Sequence, residues 1–393
     1  MTVANDRLLL GPGPSMVHPR VLGAMSRPLV GHLDPSFLAL LDCVQRDLRR
    51  LFGTTNELTL PLSGTGSAGM EACFANLIEE GDEVVVWVNG VFGSRMVEIA
   101  QRLGARVVPV EAPWGEIVPL EHLAQALARC RAPKLLAVVH AETSTGVWQP
   151  LDGLAHLAQQ RDALLLVDAV TSLAGCPVEV DRDRWDACYS ATQKCLSCPP
   201  GLAPVTFGAR AVERIRRRRR KPPTWYLDLG LIQAYFGGER VYHHTAPISM
   251  IYALAEALNL VFEEGIQKRH ARHHVNHLAL IAGLQAMGIE PVPAPNHRLW
   301  MLNTVRIPQG VEDSDTRRRL LMRHSIEVGA GLGPLAGKVW RVGLMGESSR
   351  AGHVRRLLLA LAGELPMRTL PANAGRCALD AADAVYAQVV VAP

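Results

Sequence analysis

No run of apolar residues in this chain approaches the roughly 20 that cross a bilayer, so an integral membrane protein is not expected. Charge of one sign is also scarce. The formal net charge is +4 over 393 residues, and nearly all of the excess sits in Arg216 to Lys221, so composition implies no extended polyanion-binding surface. That run lacks interleaved aromatic residues and follows an apparent helix start, which reads as a solvated helix end rather than a nucleic-acid patch. The start Met1 to Arg7 lacks the pattern of a secretory leader. Eight cysteines at irregular spacings then point to reduced thiols in a cytoplasm. The single CxxC, Cys195 to Cys198, has no second pair and no histidine cluster at zinc spacing, so no metal is expected. Internal repeats and low-complexity blocks are absent apart from the arginine run.

What is present is the balance of an ordinary globular protein, 48% hydrophobic and 20% charged. The length suits one large domain plus a smaller one. From about residue 60 to 210, short apolar runs at 83–88, 106–110, 134–139 and 163–167 alternate with amphipathic stretches such as 93–103 and 120–130, the pattern of βα units in a mainly parallel sheet. Beyond about residue 245 the texture changes to long helices, 248–264 and 266–286. Strand candidates at 304–307 and 339–343 and a helix at 351–365 follow. The expected boundary to a smaller α+β domain lies near 262. The segment 366–393 shows no clear periodicity and receives no assignment.

In an open parallel sheet, ligands sit beyond the carboxyl ends of the strands. Three candidates meet there. The run Ser63-Gly64-Thr65-Gly66-Ser67 leaves backbone N–H groups open at a helix start, where an anion is favoured. Asp168 ends an apolar run and can keep a pyridine nitrogen protonated. Lys194 follows a second short apolar stretch and offers an amine. Alone, the loop also reads as a plain turn, Asp168 as a helix cap and Lys194 as a surface residue. Their order in an α/β chain of this size is more restrictive than any one of them.

The stretches Leu10-Gly11-Pro12-Gly13-Pro14-Ser15, Ser63 to Ser67, Glu142-Thr143-Ser144-Thr145-Gly146, Leu166 to Val170, Ser190-Ala191-Thr192-Gln193-Lys194, Tyr242-His243-His244-Thr245-Ala246-Pro247 and Trp340-Arg341-Val342-Gly343-Leu344 carry a resemblance over most of the length. The chain resembles the alanine-glyoxylate and serine-glyoxylate aminotransferases, fold-type I, class V enzymes of pyridoxal 5'-phosphate (PLP). The resemblance implies that Lys194 forms the Schiff base and Asp168 pairs with the ring nitrogen. It implies phosphate contacts from Thr65, Gly66, Ser67 and Gln193, Phe92 stacked on the ring, and Thr143 and Val170 beside it. Arg341 would hold the substrate carboxylate.

Tyr242 and Thr245 would reach the cofactor phosphate of a neighbouring subunit, making a homodimer with shared sites, and neither His243 nor His244 is assigned a catalytic role. The resemblance implies that the N-terminal segment, residues 1–20, crosses to the partner; the boundary at 262 then makes 21–262 the large domain and 263–365 the small one. The implied activity moves an amino group from alanine or serine to glyoxylate, with a small amino acid and a 2-oxo acid as partners. Ureidoglycine as donor, or a class V lyase or cysteine desulfurase, are the alternatives within enzymes. A desulfurase needs a mobile thiol, and Cys198 stands beside Pro199 only four positions past Lys194. A nucleic-acid-binding role through Arg216 to Lys221 is the alternative outside them.

Overall fold

Apolar runs of five to seven residues, buried on both faces, build most of the larger sheet; Ala187–Tyr189 is shorter and the edge strand Arg106–Glu111 buries only Val110. In the computed structural model, which describes residues 7–390, its strands follow the order Leu58–Ser63, Leu202–Phe207, Ala187–Tyr189, Leu164–Asp168, Pro133–Val139, Glu83–Val88 and Arg106–Glu111. All neighbours are parallel except those of Leu202–Phe207, which runs antiparallel to both its partners. This is the expected α/β architecture with a mainly parallel sheet. Asp168 is the last residue of its strand, in register with Val139 on one side and Tyr189 on the other. Leu58–Ser63 is a strand that the sequence pattern does not announce, since Pro61 interrupts it. It lies at the sheet edge, where a residue without an N–H is tolerated.

A second sheet has the order Leu8–Leu10, Ile326–Ala330, Val339–Gly343, Leu302–Arg306. Its first pair is parallel and the others antiparallel. Each sheet has its own apolar core. Helix Ile248–Glu264 buries Leu254, Leu258 and Val261 with the large sheet, whereas Ile266–Ala286 places Leu280 and Leu284 with Leu10, Val305, Trp340 and Leu357 around the small one. Among the described residues no helix is long and apolar enough to cross a membrane.

Two expectations change here. The unassigned stretch 366–393 contains a helix, Ala374–Val390, which buries Ala374, Ala378 and Ala382 in the second core. Gly283 permits the close approach, because a Cβ there would stand 3.0 Å from the Ala378 carbonyl oxygen. Residues 391–393 of that stretch, and 1–6 of the expected N-terminal segment, lie outside the described residues. The arginine run is only partly a solvated helix end. Helix Ala209–Arg216 stops as the run begins, but Arg218 is half-buried and donates to the carbonyls of Asn76, at 3.1 Å, and Ile78, at 2.5 Å. It thereby satisfies open acceptors at the end of helix Gly66–Leu77. Arg217 pairs with Glu213 and Arg220 with Glu80.

Candidate active site

The strand Leu164–Asp168 delivers a carboxylate that is only 3% exposed. Its Oδ1 accepts the Val170 N–H at 2.8 Å and its Oδ2 the Tyr189 hydroxyl at 2.6 Å. Among the described residues it has no ion-pair partner. Burial pushes its pKa up to about 7, against the opposing pull of the Tyr189 and Val170 hydrogen bonds. A buried acid in this state is suited to a cationic or protonated partner.

Lys194 lies just beyond the neighbouring strand Ala187–Tyr189. Its main chain is clamped to the N-terminal segment: the Ser15 hydroxyl donates to the Lys194 carbonyl at 2.7 Å, and the Ser15 N–H to the Gln193 carbonyl at 3.0 Å. The Nζ donates to the Pro12 carbonyl. Gly13, at φ +107°, leaves room for this chain crossing, since a Cβ there would stand 2.7 Å from Nζ. Burial lowers the lysine pKa to about 8, and the nearby Arg341 charge acts in the same direction.

Between strand Leu58–Ser63 and helix Gly66–Leu77, Thr65 is the N-cap but makes no side-chain capping bond. The N–H groups of Gly66 and Ser67 find no acceptor among the described residues. That is an anion site at a helix start. The Gln193 Oε1 is likewise buried without a partner. These groups surround a cavity of about 170 Å³ lined by Thr65, Gly66, Ser67, Phe92, Thr143, Asp168, Val170, Gln193 and Lys194, with Met70, Arg95, Val139, Ala141 and Thr171. An open anion site, a buried carboxylate and a buried amine around one small cavity fit a phosphorylated pyridine aldehyde.

Phe92 is held at the cavity by Glu142, a residue of the quoted motifs to which the sequence alone attaches no role. The fully buried Glu142 carboxylate accepts the N–H groups of Phe92, at 3.1 Å, and Gly93, at 3.4 Å, and both donors of Ser144. It thus anchors the first turn of helix Val91–Arg102. Arg341 comes from the small sheet and does not line the cavity. Its Nη1 donates to the Thr143 carbonyl at 3.1 Å and its Nε to the Ala330 carbonyl at 2.6 Å. Nη2 makes no hydrogen bond among the described residues.

Tyr242 and Thr245 are not brought to this cavity. Both are exposed, and Tyr242 packs beside His32 with ring centroids 5.2 Å apart. His244 Nε2 lies 2.8 Å from the Ser63 hydroxyl, at the root of the anion loop. Tyr189 and Arg95 are site residues that the sequence pattern does not single out. Tyr189 hides in an apolar strand, and Arg95 has the sequence setting of any helix-surface arginine. Cys195 and Cys198 are buried, and burial raises both thiol pKa values, that of Cys195 to about 12. No three His, Cys, Asp or Glu side chains converge as a metal site among the described residues. A larger cavity of about 530 Å³ is lined by His140, Trp148, Arg182 and Trp185 among others, and no expected site residue borders it.

The family model for class V aminotransferases matches residues 9–345. The chain is 40% identical to mouse alanine-glyoxylate aminotransferase, over 90% of this chain and 86% of that protein. The crystal structure of alanine-glyoxylate aminotransferase from Nostoc sp. superposes with a TM-score of 0.91 at 51% identity, covering 93% of this chain and 97% of that one. Ureidoglycine-glyoxylate aminotransferase from Bacillus subtilis superposes with a TM-score of 0.94 at 39% identity, covering 98% and 99%.

Proposed function

The chain belongs to the class V aminotransferases, enzymes that use PLP, and from that premise we propose that it transfers the amino group of alanine or serine to glyoxylate. The names of its relatives support the glyoxylate assignment. The observation that carries transamination is the convergence of a buried amine, a buried carboxylate and an anion loop on one cavity, with Arg341 behind Thr143. Bound PLP supplies an electron sink for the pair left when a Cα–H bond breaks.

In this reading Lys194 would hold the cofactor through its amine and, once the substrate's amino group had displaced that amine, would move the Cα proton. With a pKa lowered to about 8, a useful fraction of its amine is neutral near physiological pH, as a general base requires. Asp168 faces the ring nitrogen and holds a proton there. Arg341 turns its unpaired Nη2 to the substrate carboxylate, and the Thr143 and Ala330 carbonyls fix the guanidinium plane. Glu142 sets the position of Phe92 against the ring face. Amino donor and oxo-acid acceptor use the same site in turn, which gives ping-pong kinetics.

The active unit in this proposal is a homodimer in which Tyr242 and Thr245 reach the partner's phosphate loop. Their exposure supports it, as does the exposed aromatic patch of Trp225 and Tyr226 around His243. The free cysteines, six of them buried, support a reducing compartment such as the cytoplasm. Ureidoglycine is the second donor reading, favoured by the fit of the Bacillus subtilis structure over 98% of this chain. Steady-state assays of alanine, serine and ureidoglycine against glyoxylate and pyruvate test both. Glycine formed from glyoxylate with one of these donors is expected. Activity with none of them refutes the proposal.

A further inference from the structure

Arg95 lines the cofactor cavity, yet neither the family resemblance nor the proposed reaction uses it. It follows Phe92 by three positions on helix Val91–Arg102, so the two side chains share a face. Its Nη1 stands 3.3 Å from the Ser67 hydroxyl, and its guanidinium carbon lies 5.1 Å from the centroid of the Phe92 ring. No carboxylate pairs with it among the described residues, although Arg102 on the same helix is paired with Glu98.

A phosphate monoester carries a charge of about −1.5 to −2 near pH 7. Inside a partly buried cavity such a group needs a compensating charge. The loop itself supplies only neutral donors, namely the N–H groups of Gly66 and Ser67 and the hydroxyls of Thr65 and Ser67, with a helix start worth about half a charge. Gln193, Tyr242 and Thr245 are neutral too. Lys194 is committed to the aldehyde end, and two donors of Arg341 are held by the Ala330 and Thr143 carbonyls. Burial holds His244, at the root of the loop, toward its neutral form, and among the described residues lining the cavity Arg95 is the cation whose reach includes the loop.

We propose that Arg95 is the counter-charge of the cofactor phosphate, held in place by its stacking on Phe92. The assignment rests on the Thr65 to Ser67 loop being the phosphate site. Phe92 then has two roles, one face toward the cofactor ring and the other orienting the planar guanidinium, whose fork matches two phosphate oxygens. Loss of Arg95 weakens retention of the cofactor and leaves the amine and the ring-nitrogen acid in place.

The test compares PLP with pyridoxal, which has the same ring and aldehyde without the phosphate, binding to the apo form of the full chain. Equilibrium titration followed by fluorescence quenching gives both dissociation constants for wild type, Arg95→Gln and Arg95→Lys. Arg95→Gln is expected to weaken PLP about ten- to one-hundred-fold, the worth of a charge-assisted hydrogen bond, and to change pyridoxal binding less than about three-fold. Arg95→Lys is expected to recover part of the loss, keeping the charge without the fork. Equal weakening of both ligands, or no change in PLP, overturns the proposal. A Thr65→Ala, Ser67→Ala double variant separates the underlying assignment. If it lowers the preference for PLP over pyridoxal and Arg95→Gln does not, only Arg95 is misassigned. If neither variant lowers it, the phosphate lies elsewhere.

Discussion

Replacing Tyr189 with Phe removes one hydroxyl from a fully buried ring, and with it the 2.6 Å hydrogen bond to Asp168. A hydrogen bond to a charged buried group is worth about 1.5–3 kcal/mol. The protonated carboxyl also loses a neutral hydrogen bond, so only the difference, about 1–1.5 kcal/mol, shifts the equilibrium; with about 1.4 kcal/mol per pKa unit, the loss moves the carboxyl of Asp168 up by roughly one unit from its value of about 7. The folded apo protein then keeps a proton that the unfolded chain has lost, so stability falls as pH rises from about 4 toward the folded pKa. In wild type that fall ends near pH 7; in the variant it continues toward about pH 8. At pH 5 both folded forms hold the proton, and the variant is weaker only by a neutral hydrogen bond, about 0.5–1.5 kcal/mol. At pH 9 the deficit grows to about 1.5–3 kcal/mol. Urea unfolding of both apo proteins across this range reads the difference, and contributions from other titrating groups cancel between them. A deficit that stays the same from pH 5 to pH 9 refutes the linkage between Tyr189 and Asp168.

Arg341→Ala is expected to lower kcat/KM about ten- to one-hundred-fold through loss of the carboxylate contact, with the cofactor dissociation constant unchanged; steady-state kinetics beside a PLP titration checks this. Tyr242→Phe combined with Thr245→Ala removes two hydroxyls that are exposed in the isolated chain, and the shared-site dimer predicts roughly ten-fold weaker PLP binding. Light scattering establishes the assembly in the same samples, and unchanged PLP affinity in a dimer contradicts the prediction. Ala378→Leu overfills the seam between helix Ala374–Val390 and Gly283 and is expected to cost about 1–3 kcal/mol of stability without altering PLP affinity, as read by urea unfolding and titration.

The parts of the site legible in the sequence are those whose chemistry stands at the end of an apolar run. Asp168 and Lys194 break hydrophobic segments with charge, and a buried charge at a strand's carboxyl end has few structural uses. Tyr189 gives no such sign. Its ring suits the apolar strand it belongs to, and its hydroxyl finds Asp168 only because the two strands lie in register. Arg95 is hidden in another way, since a helix arginine three positions before Glu98 reads as a surface ion pair until the structure gives Glu98 to Arg102 and closes the cavity around Arg95.

The fold divides similarly. Runs of Val and Leu announce the strands Glu83–Val88 and Pro133–Val139. Leu58–Ser63 is masked by Pro61, and its place at the edge is a property of the whole sheet. The helix Ala374–Val390 packs through Ala374, Ala378 and Ala382, and alanine contributes too little to hydrophobic periodicity to mark a face. Its partner surface is made by Gly283, 91 positions before the helix begins. Tyr242 and Thr245 stand away from the cavity in the fold of one chain, and only the proposed homodimer would bring them to a phosphate.

Borohydride reduction of the PLP-loaded protein, followed by proteolysis and mass analysis of the cofactor-bearing peptide, bears most directly on the role of Lys194. The reduced label is expected on Lys194, and Lys194→Ala is expected to carry none while remaining folded. Label on Lys134, Lys221, Lys268 or Lys338, or a Lys194→Ala protein that still retains it, contradicts the account.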